Sequence, residues 1–191
     1  MFLKKSDESM NLKPRHQRDS ENRVIIDMTV KDDSDFLSVF SRSDTPVIST
    51  EVADFIENST DTVLPREQLT LRIHSNCIDD NEKELYKKSI RQYYSEKSIA
   101  NMRELKRNNI IVFLLTVAGV IVLASALLLE QTTGSLIWSE VIDIAAWVFL
   151  WEAVDISAFG NRSLRLKKKR YLSYLSMKVE YFDLADRQRE S

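Results

Sequence analysis

Residues 110–129, IIVFLLTVAGVIVLASALLL, form a run of twenty positions without a charge. As a helix rising about 1.5 Å per residue, such a run matches the roughly 30 Å hydrocarbon layer of a bilayer. A buried soluble helix rarely needs so long an apolar stretch, so the run predicts a membrane span. Everything before and after it must then be assigned to one side of a membrane.

A second apolar block, residues 137–159, has the length of a span but carries Glu140, Asp143, Glu152 and Asp155. A carboxylate near the centre of a span disfavours insertion by about 2.5–3.5 kcal/mol, less toward the interfaces. Three features still predict a second span: the short distance from the first, Trp138 and Phe159 near its ends, and the basic run that follows. Residues 130–135, EQTTGS, make a polar connector with Gly134 and no lysine or arginine. Arg103, Lys106 and Arg107 precede the first block, and residues 162–170 hold six bases and no acid. Basic flanks stay in the cytoplasm, so the expectation is a hairpin with both termini cytoplasmic and the connector outside.

The overall charge of -2 conceals this distribution. Residues 1–62 hold 13 acids and 8 bases, whereas residues 82–107 hold 8 bases and 4 acids. The start, MFLKKSDESM, lacks the apolar core of a signal peptide, leaving the first span as the expected insertion signal. One cysteine, Cys77, excludes a disulfide within the chain, and the two histidines, His16 and His74, are far apart in sequence. No phosphate-binding glycine loop, dinucleotide fingerprint, HExxH or GxSxG motif is present, so neither a cofactor nor a metal is expected, and enzyme activity is rejected.

The acids of the second block are not scattered. At about 100° per residue from Glu140, Asp143 falls near 300°, Trp147 near 340°, Trp151 near 20° and Asp155 near 60°, with Glu152 on the shoulder of this arc. The other side carries Ile142, Ala145, Ala146, Phe149, Ala153 and Ile156, suited to lipid or a neighbouring helix. Neither apolar block contains a lysine or arginine to pair with these carboxylates. A single hairpin cannot enclose water, so the economical arrangement is a homo-oligomer whose copies turn this face inward. Glu140, Asp143, Glu152 and Asp155 then line a cation pore, narrowed by Trp147 or Trp151. Glu140 and Asp155, nearer the ends, have the alternative of reaching an interface. In the first block Thr116, Ala118, Gly119, Ala124, Ser125 and Ala126 permit close helix packing.

Outside the apolar blocks, residues 80–107 place Leu85, Tyr86, Ile90, Tyr93, Tyr94, Ile99, Met102 and Leu105 at largely helical spacing behind a cap at Asp79 or Asp80. No proline or glycine interrupts them, which predicts one helix from about 80 through 129. LTLRIH, residues 69–74, alternates as a half-buried strand, and residues 23–30 and 177–184 are further strand candidates, together a small sheet. Residues 43–61 suggest a turn and a short helix capped at Thr50, and the first 22 residues suggest disorder. The fold class expected is therefore a mainly α membrane protein with a two-helix transmembrane hairpin, a long cytoplasmic helix and a small α+β part. Its segments are an acidic region 1–62, a strand and juxtamembrane helix 63–107, the hairpin 108–159 with spans 110–129 and 137–159, and a basic tail 160–191.

The basic cluster Arg165, Lys167, Lys168, Lys169 and Arg170 suits anionic lipid headgroups, at about 1 kcal/mol per residue near the surface. A cytoplasmic anionic ligand is the alternative, a nucleotide or a nucleic-acid strand stacking on Tyr171 and Tyr174, and a partner protein is a third.

The segment AAWVFLWEAVDISAFGNRSLRLKKKRYLSYL, with WVFLWEAVD at its start, resembles a group of small bacterial membrane proteins in which a second span ends in a tryptophan, a carboxylate and a basic helix. The likeness covers residues 68–182. In size, topology and acid-lined span the chain also resembles membrane effectors of bacterial anti-phage systems, including the Hailong type. That resemblance implies a bacterial inner membrane location and control by a cytosolic nucleotidyltransferase or its single-stranded DNA product. The expected function is an oligomeric ion channel gated from the cytoplasm. The competing expectation is a membrane-anchored scaffold recruiting a cytosolic partner protein through residues 1–75.

Overall fold

A computed structural model describes residues 17–42, 44–133 and 136–184, apart from the side chains of 133 and 136–139. Most of the disorder expected for the first 22 residues, and the tail beyond residue 184, lie outside these. The chain is mainly helical, with one small sheet, and divides into two compact units. Of the described residues, one comprises 17–42, 44–90 and 176–184, and the other lies within Arg91–Leu175.

The first unit is built on three parallel strands, β1 (Val24–Thr29), β2 (Leu69–His74) and β3 (Lys178–Phe182), in the order β1-β2-β3. Val24 pairs with Leu69 at the start of one ladder, and Thr70 with Lys178 at the start of the other. All three strand candidates are thus strands. The half-buried reading of β2 needs correction, because Thr70 and His74 are buried as completely as Leu69, Leu71 and Ile73. Parallel strands are joined by crossovers, and these cover both faces of a central strand. The polar face of β2 is covered by polar partners: the Thr70 hydroxyl donates to Asp19 Oδ2 at 2.8 Å, and His74 Nε2 lies 3.3 Å from Asp27 Oδ1.

Helix α1, Thr50–Ser59, follows Ser49, whose hydroxyl accepts the Val52 N–H at 3.4 Å. The cap is therefore Ser49 and not Thr50, one residue earlier than expected. Ala53 and Ile56 are fully buried.

Helix α2 runs unbroken from Asp80 to Thr133. Its start is closed by Glu82, whose carboxylate accepts the Asp79 N–H at 2.8 Å, while Lys83 N–H bonds the Asp79 carbonyl at 2.9 Å. In the first unit Tyr86 stacks on Phe36 with ring centroids 4.2 Å apart and donates to Asp33 Oδ2 at 3.0 Å. The connector expected at 130–135 is helical through Thr133, since no breaker occurs before Gly134.

In the second unit α2 is joined by α3 (Leu136–Asp155), a π-helical turn (Ile156–Gly160) and α4 (Asn161–Leu175). The covered side of α2 passes through Tyr94, Ser98, Asn101, Leu105, Asn108, Val112, Leu115, Gly119, Val122, Ala126 and Leu129. Alternating steps of three and four residues are the spacing of helices packed at a shallow angle. The seam on α3 uses Ala146, Leu150 and Ala153. A Cβ on Gly119 would stand 2.9 Å from Leu150 Cδ2 and 3.3 Å from the Ala146 carbonyl oxygen, so the seam leaves little room for a side chain here.

Among the described residues one helix, α2, is long and apolar enough to cross a membrane, and 11% of its most apolar window is buried. Helix α3 has twenty residues but also four carboxylates.

Candidate functional site

The seam with α2 decides which side of α3 is free. Ala146 and Ala153 are buried, whereas Ala145 and Phe149, from the same apolar side, are exposed. Glu140, Trp147, Trp151, Glu152 and Asp155 all point away from the seam and are exposed; Trp147 keeps 55% and Trp151 66% of its surface. Asp143 differs, being half-buried at the seam's edge next to Ile142. On the wheel it stands about 60° from Ala146, whereas Trp147 stands about 100° away. Among the described residues none of Asp143, Glu152 and Asp155 is held by a hydrogen bond or ion pair. The stripe is therefore an exposed face of three carboxylates, Glu140, Glu152 and Asp155, and two indoles, with half-buried Asp143 at its edge and no cation supplied from within the helix pair.

Where α3 gives way to the π turn, the Asn161 N–H reaches back five residues to the Ile156 carbonyl. Asn161 is wholly buried, and its Nδ2 donates to Asn109 Oδ1 at 2.9 Å, while its own Oδ1 has no partner. Asn101 Nδ2 donates to the Leu164 carbonyl at 3.0 Å. Three asparagines thus knit α2 to the start of α4. Sequence reasoning missed them, although a signal was present: Asn109 directly precedes the first apolar run and Asn161 stands two residues past the end of the second, near the facing ends of the two helices.

The basic cluster is divided by a surface depression. Arg165 and Lys169, with Arg162, Ser157, Ala158 and Leu166, line an open depression of about 370 Å³. Lys167, Lys168 and Arg170 are not among its lining residues. Arg162 and Ser157 were not singled out from sequence, since a charge run alone does not tell which members share a face. The stacking role expected for Tyr174 is corrected: its ring is buried against Tyr94, with centroids 4.4 Å apart, and a nucleobase has no access to it.

No protein-family model, curated protein or solved structure matches the chain. Among the described residues, no group of three or more His, Cys, Asp or Glu side chains is placed to hold a metal ion. Burial, with the Asp33 carboxylate beside it, pushes the Tyr86 phenol well above its usual range. Asp19 is pushed up by burial, but the N–H groups of Arg23 and Glu21 and the Thr70 hydroxyl outweigh this and hold it below the usual 3.8.

Proposed function

We propose that the chain crosses a bacterial inner membrane twice, through α2 and α3, with both termini cytoplasmic, and that several copies assemble into a cation-conducting pore gated from the cytoplasm. The observation carrying this reading is the exposure of the carboxylate and tryptophan stripe of α3 while small residues on its other side pack on α2. Glu152 and Asp155 facing acyl chains is costly, and the helix pair offers them no partner. Several copies that turn these faces toward a shared aqueous cavity remove the cost and create rings of carboxylates. Asp143, beside the seam, and Glu152 set the charge of the conduction path, and Trp147 or Trp151 forms its constriction. The unbroken course of α2 from Asp80 to Thr133 offers a direct mechanical route for a cytoplasmic signal. That signal is a nucleotide or nucleic acid if the likeness to anti-phage effectors holds.

Recording currents from the purified chain in planar bilayers tests the reading. Asp143→Asn with Glu152→Gln lowers cation selectivity and conductance; a conductance and selectivity unchanged from the parent chain removes the assigned role. A solubilised chain that stays monomeric at all concentrations removes the pore altogether.

A second reading draws on the first unit, where Val39 and Phe40 keep 81% and 93% of their surface. Such a tip suits a scaffold that recruits a cytosolic protein. Pull-down abolished by Phe40→Ser, with no currents from the parent chain, selects that alternative.

A further inference from the structure

Arg162, Arg165 and Lys169 follow one another at steps of three and four residues, which brings them to one side of α4. They border a depression whose lining contains no carboxylate, and among the described residues none of the three is engaged in an ion pair. Three cations gathered without an anion repel one another, an arrangement relieved when a ligand supplies the negative charge. The rest of the lining is informative about that ligand. Ser157 brings a hydroxyl from the π-helical turn, a kind of helix irregularity that often marks functional sites. Two guanidinium groups suit the oxygens of a phosphate, which they contact through paired N–H donors, and a lysine adds a point charge. Ala158 and Leu166 add an apolar rim.

From these residues we propose that Ser157, Arg162, Arg165 and Lys169 form a discrete binding site for a phosphate group, carried by a phospholipid headgroup or by a soluble phosphate compound. The lipid source rests on α3 ending at a membrane surface, whereas the site itself does not. Two other basic residues of α4, Lys167 and Lys168, are absent from its lining and provide a charge-matched control.

The test compares two pairs of substitutions in the full chain, Arg162→Gln with Arg165→Gln, and Lys167→Gln with Lys168→Gln, each removing two charges. One arm counts phosphatidylglycerol retained by the purified protein in native mass spectrometry. The other titrates pyrophosphate onto the protein in nanodiscs of neutral phosphatidylcholine. A discrete site predicts that the arginine pair weakens at least one probe by roughly tenfold or more while the lysine pair changes it by less than about threefold. Loss confined to the lipid arm identifies a headgroup as the source, and loss in the pyrophosphate arm identifies a soluble phosphate. Equal losses from the two pairs, or no loss in either arm, overturn the site and leave only diffuse attraction. Release of the chain from membranes by alkaline carbonate defeats the spanning model separately, with the pyrophosphate arm then run on the released protein.

Discussion

Replacing Gly119 tests whether the α2–α3 seam governs the second unit. A Cβ at this position meets Leu150 Cγ at 3.0 Å and Cδ2 at 2.9 Å, together with the Ala146 carbonyl oxygen at 3.3 Å. The leucine tip can rotate away, but the carbonyl belongs to the backbone of α3 and cannot. Gly119→Ala therefore sets a small steric cost against a helix-propensity gain of about 1 kcal/mol and should leave stability nearly unchanged. Gly119→Val adds two γ-carbons to a gap already closed by that carbonyl. Overpacking costs about 1–3 kcal/mol, and the propensity gain over glycine is only a few tenths. At roughly 2–4 °C per kcal/mol for a chain of this size, the valine variant should melt about 1–11 °C below the parent. The three tryptophans of the chain all lie in the second apolar block, so intrinsic fluorescence reports on α3 during melting in detergent or nanodiscs. Leu150→Ala in the valine background should recover part of the loss, since one of the two obstructions is gone. A Gly119→Val chain as stable as the parent would refute the close approach.

Two further outcomes follow from polar contacts. Asn161→Ala strands the Asn109 amide oxygen at the start of the apolar segment and should lower stability by about 1–3 kcal/mol by the same fluorescence assay, with Asn161→Asp milder at acid pH than at neutral pH. Asp19 is held below its usual value in the folded chain, so its contribution is complete above about pH 4 and fades as acid protonates it through the folded value. Asp19→Asn should consequently be destabilised at pH 7 and show a flatter acid limb in denaturant titrations between pH 2 and 5; an unchanged limb would show that the Thr70 and Arg23 contacts do not hold that carboxylate.

Much of the architecture was legible because it rests on local pattern. The apolar run 110–129, the absence of breakers from residue 80 up to Gly119, and the short apolar-rich runs around Ile25, Leu71 and Val179 each carry their own signal. Strand order, parallel pairing and the burial of Thr70 were not legible, because they depend on which crossovers cover β2. The helical wheel correctly separated Ala146 and Ala153 from the stripe of acids, yet it could not tell that Ala145 and Phe149, close by on the same arc, stay exposed. Along the first part of α2 the apolar residues were poor guides: Ile99 and Met102 are exposed while Ser98 and Asn101 occupy the seam. Small and amide side chains fit a tight helix contact better than large ones, and a reading weighted to hydrophobicity overlooks them. The division of the basic cluster was equally hidden, since it depends on how the π turn leads into α4.

The helical segment Arg91–Leu175 lies in the chain between two strands that are neighbours in the same sheet. During synthesis β2 leaves the ribosome long before β3, so the sheet remains a two-stranded fragment until both long apolar stretches have been delivered. A chain stalled or cleaved within the helical segment would lack the last strand and leave one side of β2 without its ladder. Completion of the sheet thus acts as an internal record that the helices were made first.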